Sequence, residues 1–268
     1  MKGMALLIML PLWVSQVMAE SGCVFTAWDQ FQGTALLHHS EQNAYLFTSN
    51  EIRVDADGAP NAYHPDDVSL HCTQGEGFKG LDCPANGGYP KYSWWRSAIV
   101  ADPDNPAQAY VQPEGTFKGF LVSRTSLQDG QKAVTDPQRY VDSRSVPYLV
   151  FPGDFYKKKG TGALGDFGYA LNLSNGKSSP FIIADIGSAR ATLGEMSIAL
   201  ASALGGDSPN PRTGAGTPSG TVVYMIFPRS NKTPDWPLSQ QTMNDTVNTL
   251  LNSAGGEVML KTCAGSLQ

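Results

Sequence analysis

Twenty-eight glycines and eighteen prolines break the apolar residues of this chain into short runs, and that punctuation limits what it can fold into. A long helix needs an unbroken stretch of helix formers, whereas strands need only a few apolar residues between turn formers. The runs that qualify as strands are SAIVA (97–101), AYVQ (109–112), GFLVS (119–123), PYLVF (147–151), GYALNL (168–173), FIIADI (181–186) and TVVYMIF (221–227). Asn175-Gly176 between two of them is a hairpin signal. Two helices are expected. One starts near Thr192, with Met196, Leu200, Ala203 and Leu204 on one face and Gly205-Gly206 as its stop. The other starts at Ser239, with Met243, Val247, Leu250 and Leu251 inward and Gly255-Gly256 at its end. The segment GGDSPNPRTGAGTPSG (205–220) reads as a surface loop. The expected class is mainly β with a few short helices and long loops, and no repeat or sharp boundary divides the chain.

The first nineteen residues join Lys2 to an apolar run and the small-residue pattern Val17-Met18-Ala19, the layout of a cleavable secretory signal. The run from Met4 to Val14 is too short to span a bilayer. Glu20 stands where a lipoprotein box before Cys23 needs an aliphatic residue. A secreted or periplasmic chain of residues 20–268 follows, a single domain without a membrane anchor and expected as a monomer. Loss of Lys2 leaves 18 basic against 24 acidic residues, formally minus six. That surface repels nucleic acid and attracts a cationic polymer. Four cysteines in an exported chain imply two disulfides. Cys72 and Cys83 flank the glycine-rich TQGEGFKGLD and are paired with each other, so Cys23 and Cys263 tie the termini. No CxxC spacing argues for zinc.

Two carboxylates stand out. Asp185 ends an apolar strand, where desolvation raises a carboxyl's pKa and suits a proton donor. Glu195 falls in the first turn of the expected helix, where the macrodipole favours the charged form and suits a base. Carboxyls pushed in opposite directions are what acid-base cleavage of a glycosidic bond requires. The residues alone leave a second reading open, because Thr192-Leu193-Gly194-Glu195 also matches a capping box, and Asp185 also reads as a buried acid satisfied by backbone donors.

The series IRVDADGAPNAYHP (52–65), GLD (80–82), WW (94–95), DPQRYVDSRSVPYLVFPG (136–153), GDFG (165–168), NGKSS (175–179) and ADIG…LGEMSIALASALG (184–205) resembles glycoside hydrolase family 75, the secreted endo-chitosanases. The resemblance runs in order over nearly the whole chain after the leader. It implies Asp185 and Glu195 as the essential pair, an inverting mechanism, and Asp57, Asn61, Tyr63 and His64 along the substrate cleft. The same Asp-x-Gly block resembles double-psi β-barrel proteins, which implies a barrel core of that kind. Ser188 departs from the usual proline, and the Cys72–Cys83 insertion enlarges a loop that borders the cleft.

Asp55 and Asp57 lack the terminal glutamate of a calcium loop, so no metal is expected, and nothing calls for a cofactor. A tight turn satisfied by local side chains is the alternative for that segment. One of Trp94 and Trp95 can stack on a sugar, since neighbours in a strand face opposite ways; Trp95 is assigned that role. His38, His39 and His71 have no evident partners. The sequence points to hydrolysis of β-1,4 bonds in chitosan or a related aminosugar polymer. Peptidoglycan cleavage and an expansin-type wall-binding module without hydrolysis are the alternatives.

Overall fold

The computed structural model describes residues 22–232 and 236–267; the leader expected at residues 1–19 lies outside them. Nine strands form one sheet: β1 (Phe25–Phe31), β2 (Thr34–His39), β3 (Tyr45–Ser49), β4 (Arg53–Asp55), β5 (Tyr148–Pro152), β6 (Phe167–Asn172), β7 (Ser178–Gly187), β8 (Glu195–Ser197) and β9 (Val222–Phe227). Their order is β1-β2-β3-β9-β6-β7-β5-β8-β4. Most neighbours are antiparallel, but β5 runs parallel to β7 and β4 parallel to β8. The helices are short: α1 (Gly153–Tyr156), α2 (Ile198–Ala203), α3 (Gln240–Ser253) and α4 (Gly256–Ala264). The fold is therefore mainly β, as the sequence predicts. No helix among the described residues is long and apolar enough to cross a membrane.

Both faces of the sheet are covered, which explains why its central strands read as continuous apolar runs rather than alternating ones. One face carries Tyr148, Val150, Tyr169, Leu171, Ile182 and Met225 against Met243, Val247 and Leu251 of α3 and Leu260 of α4. The other carries Leu149, Phe151, Ile183, Tyr224 and Ile226 against Phe155 of α1 and Leu200, Ala201 and Leu204 of α2. Successive residues of each strand thus belong to opposite cores, the two-residue period of a pleated strand.

The runs 147–151, 168–173, 181–186 and 221–227 fall on β5, β6, β7 and β9, and β6 and β7 form the expected antiparallel pair around Gly176, whose φ is 72°. The runs near 99, 110 and 121 differ from expectation. They make only isolated bridges, Ile99↔Ser123, Ala101↔Ala109 and Val111↔Leu121, inside a long irregular region between β4 and β5. Strands β1 to β4 carry polar residues at many positions and were not singled out by their apolar content. The second expected helix matches α3, whose N-cap Ser239 accepts from the Thr242 N–H at 3.0 Å.

Cys72 is bonded to Cys83 and Cys23 to Cys263, the expected pairing. The second bond fastens the strand that begins at Phe25 to helix α4 across 240 residues. In the chain-entropy view its contribution is about 5 kcal/mol, against about 3 kcal/mol for the short loop. Replacing Cys23 and Cys263 together by serine is therefore expected to lower the melting temperature more than replacing Cys72 and Cys83, as read by thermal unfolding under non-reducing conditions.

Candidate active site

The site grows from an irregularity in β7. Leu149 pairs with Ile183, but Val150 pairs with Asp185, so Ala184 is an extra residue in the ladder. Without it, strict alternation would put Asp185 on the face of Ile183, inside the core with Leu149 and Phe151. The bulge turns it to the face of Val150 instead. The nearby segment Ser126-Leu127 seals the bulge: the Leu127 N–H donates to Ala184 O at 2.8 Å, and the Ser126 N–H and hydroxyl donate to Asp185 Oδ1 at 2.8 and 2.6 Å.

Glu195 joins the same row from the other side of β5. Met196 pairs with Leu149, so antiparallel order places Glu195 opposite Val150, and Arg53 of β4 pairs with Glu195. Asp185, Val150, Glu195 and Arg53 thus lie in line across four strands, their side chains on one face. At about 4.8 Å per strand the backbones of the two acids are about 9.6 Å apart, with Val150 between them. Gly187, two residues beyond Asp185, leaves little room for a side chain: a Cβ there would lie 3.1 Å from Glu195 Oε2 and 3.1 Å from Val150 Cγ1, so these neighbours would have to give by a few tenths of an ångström. The Asp-x-Gly spacing therefore has a mechanical reason. One strand supplies an acid and, on the same face, a gap that receives the other acid.

Glu195 does not begin a helix. It opens β8, and α2 starts three residues later, capped by Ser197, whose hydroxyl accepts from the Leu200 N–H at 3.1 Å. The capping-box reading of Thr192 to Glu195 is thereby overturned, and so is the argument that a helix dipole keeps Glu195 charged. Burial instead raises its pKa, with a further rise from Asp185, to about 7; Arg53 opposes the shift. Desolvation also lifts Asp185, while the two bonds from Ser126 favour its charged form.

Asp57 and Tyr63, both expected along the cleft, belong to this neighbourhood; so does Asp55, which the sequence reading weighs only as part of a calcium loop. One oxygen each of Asp55, Asp57 and Asp185 lies within 4.8 Å of the others. Burial first, and then the neighbouring acids, push Asp55 and Asp57 well above the usual carboxylate range. The Tyr148 hydroxyl donates to both Asp55 Oδ2 and Asp57 O, each at 2.9 Å, and its bond favours the charged form of Asp55 against the rise. Asp57 Oδ1 accepts from Tyr63 at 2.8 Å and from Ser123 at 2.9 Å. The remaining acid, Asp82, sits at the end of the disulfide loop, takes bonds from the Cys83 N–H and Asn86 Nδ2 at 2.7 Å each, and adds to the rise at Glu195. That loop and Arg212 border a cavity of about 460 Å³ floored by Ile198. Arg212 holds the cavity together, donating to Cys72 O at 2.6 Å and lying 4.1 Å over the Phe78 ring.

The other expected cleft residues are placed differently. His64 Nδ1 accepts the Asp66 N–H at 3.1 Å and caps a short 3-10 turn, Pro65–Ser69, while its ring meets Phe120 edge-on. Asn61 Oδ1 is buried and accepts no hydrogen bond among the described residues. Trp95 is corrected: it is 3% exposed, packed with Tyr63, Ala98 and Ile99, and offers no face to a ligand. Trp94 is 51% exposed and stacked on Tyr92. The pair lies in a 3-10 turn, Ser93–Ser97, so two-sided alternation was right in outcome but assigned the wrong ring inward.

Two substitutions separate placement from packing. Gly187→Ala is expected to fold, since the flexible end of Glu195 can move aside, and to displace that carboxylate; near-normal stability with a shifted Glu195 titration by NMR is the expected outcome. Asp55→Asn is expected to keep the fold, because the amide oxygen still accepts from Tyr148, whereas Asp55→Ala removes that acceptor and lowers the melting temperature.

Compared with protein-family models and with curated proteins, the chain gives no match.

Proposed function

We propose that this chain is an exported glycoside hydrolase that cleaves β-1,4 bonds of chitosan or a related aminosugar polymer by single displacement with water. The observation that carries this reading is the row Asp185, Val150, Glu195. A buried acid, Asp185, and a half-buried one, Glu195, face one way from strands on either side of β5, each with its pKa raised first by burial. An inverting enzyme needs its carboxyl groups roughly 6.5 to 9.5 Å apart to leave room for water; here the side chains set that gap, because Glu195 reaches over Val150 to Gly187, and not the backbone spacing of about 9.6 Å. A retaining pair sits closer, at about 5 to 5.5 Å. Asp185, the acid whose charged form the Ser126 bonds favour, would face the sugar and favours ammonium groups over neutral acetamides. The two parallel strand pairs in an otherwise antiparallel sheet support the double-psi barrel as the core.

The roles are exchanged relative to the sequence expectation. Glu195 accepts no hydrogen bond among the described residues and holds its proton to about pH 7, which makes it the donor to the leaving oxygen. Asp185 takes two hydrogen bonds from Ser126 that favour its anion, which makes it the base that activates water. Burial, with the neighbouring acids, pushes Asp55 and Asp57 well above the usual carboxylate range, which disfavours them for the base's role.

Reducing-sugar release from chitosan, chitin and peptidoglycan by the purified mature protein tests the substrate; cleavage of peptidoglycan alone, or binding without cleavage, would sink this reading. Glu195→Gln and Asp185→Asn are each expected to lower kcat at least a hundredfold with the fold intact. The wild-type rate should fall as pH rises through about 7, where Glu195 loses its proton. The sign for stability is the same. A carboxyl whose folded pKa is raised stabilises the fold below its unfolded value and gives up that stability as pH rises through about 7. The wild-type melting temperature should therefore drop across that range, and Glu195→Gln should flatten the drop.

A further inference from the structure

A cavity whose lining includes none of the acids of the row lies among Glu114, Tyr140 and Trp236. The segment from Tyr140 to Arg144 alternates across its length. Val141 and Ser143 turn inward: the Val141 N–H donates to Thr125 Oγ1 at 3.0 Å, and the Ser143 hydroxyl donates to Asp55 O and accepts from the Ile198 N–H at 3.0 Å. Tyr140, Asp142 and Arg144 turn the other way and line a cavity of about 590 Å³, within the range of small-molecule sites.

Its walls are already held in place. Asp142 clasps Arg144 through two oxygens, at 3.0 Å to Nε and 2.8 Å to Nη2, and the guanidinium lies 4.9 Å over the Phe117 ring. The Tyr140 hydroxyl is tethered to Val134 O at 2.8 Å. Trp236 packs against the helix-side core and completes the lining, and Glu114 stands exposed on the rim, in none of the ion pairs among the described residues.

We propose that this cavity is a second saccharide-binding site, holding a short stretch of aminosugar polymer apart from the acid row. The chemistry that recognises such a ligand is flat aromatic surface for the C–H faces of the rings, beside fixed planar polar groups for the hydroxyls. Half-buried Phe117 and Trp236 supply the first, with buried Tyr140 packed behind them. The Asp142–Arg144 clasp supplies the second. That clasp cancels its own charge, so Glu114 leaves the cavity with one net negative charge for an ammonium group. The aminosugar class rests on the proposed function; the separate location rests on the alternation of Tyr140 to Arg144.

Calorimetry on mature Glu195→Gln protein with a glucosamine tetramer tests the site, with an N-acetylglucosamine tetramer as the neutral arm. Two binding events are expected for the charged tetramer. Adding Thr116→Trp, an exposed position on the lining, should fill the cavity and remove one event. Adding Glu114→Gln should weaken that event roughly threefold at low salt for the charged tetramer and leave the neutral one unchanged. Circular dichroism checks that both variants fold. A single event untouched by Thr116→Trp overturns the site. Wild-type hydrolysis together with that outcome keeps the proposed function and removes only this inference. An event that Thr116→Trp abolishes, in a protein that hydrolyses no saccharide, keeps the site and removes the hydrolase reading.

Discussion

One extra residue in a strand governs the rest of the site. Ala184 interrupts the pairing of β7 with β5, and Asp185 consequently leaves the core face that holds Ile183 for the face that holds Val150. A carboxylate kept on the first face would be sealed among Leu149, Phe151 and α2 without donors. On the second it meets Ser126, and the Ala184 carbonyl that the ladder leaves free is taken by Leu127. The irregular chain between β4 and β5 is thus docked onto the sheet at the point where the sheet stops being regular. A local defect in hydrogen bonding does two things at once: it aims the acid and it anchors the segment that keeps the acid polarised.

Crowding of like charges is the second consequence. Asp55, Asp57 and Asp185 crowd like charge into a small volume, and burial together with the neighbouring acids pushes Asp55 and Asp57 well above the usual carboxylate range. Tyr148 donates to Asp55 and Ser126 to Asp185, and each bond favours the charged form of its acid against that rise. Burial also brings Glu195, on the far side of Val150, into the range where it exchanges protons near neutrality. The difference between the two acids therefore arises from hydrogen bonding and not from a helix dipole.

The strands that the sequence shows plainly are those buried on both faces, β5, β6, β7 and β9, because double burial demands unbroken apolar runs. Strands β1 and β4 have exposed positions and lack that signal. The runs near 99, 110 and 121 are apolar for another reason: Ile99, Ala109 and Leu121 fill a small satellite core with Tyr63 and Trp95, and single bridges suffice to hold them. Asp185 and Glu195 were legible as a motif, and so were the cysteine pairs. The bulge was not, because the two-residue period has no symbol for a residue counted twice. Glu195 misled because Thr192, Gly194 and Glu195 have the composition of a helix start, whereas Ser197 is the residue whose hydroxyl caps. Asp55 reads in the sequence only as part of a calcium loop that lacks its glutamate, because its contact with Tyr148 spans 93 positions and leaves no local signal.

Gly187 joins these strands of reasoning. The acid that needs room and the residue that gives it lie on different strands, so neither strand's own pattern explains the glycine. Its φ is not in the left-handed region, and backbone freedom is not what selects it. What selects it is the space above Val150, which a methyl group would share with Glu195 Oε2. Read this way, Asp-x-Gly is a statement about the partner strand. It specifies one acid, skips the residue that faces the opposite core, and then withholds a side chain where the second acid must stand. The constraint runs from the pleat of β7, through the bulge that sets its phase, to the place beside Gly187 where the Glu195 carboxyl comes to lie.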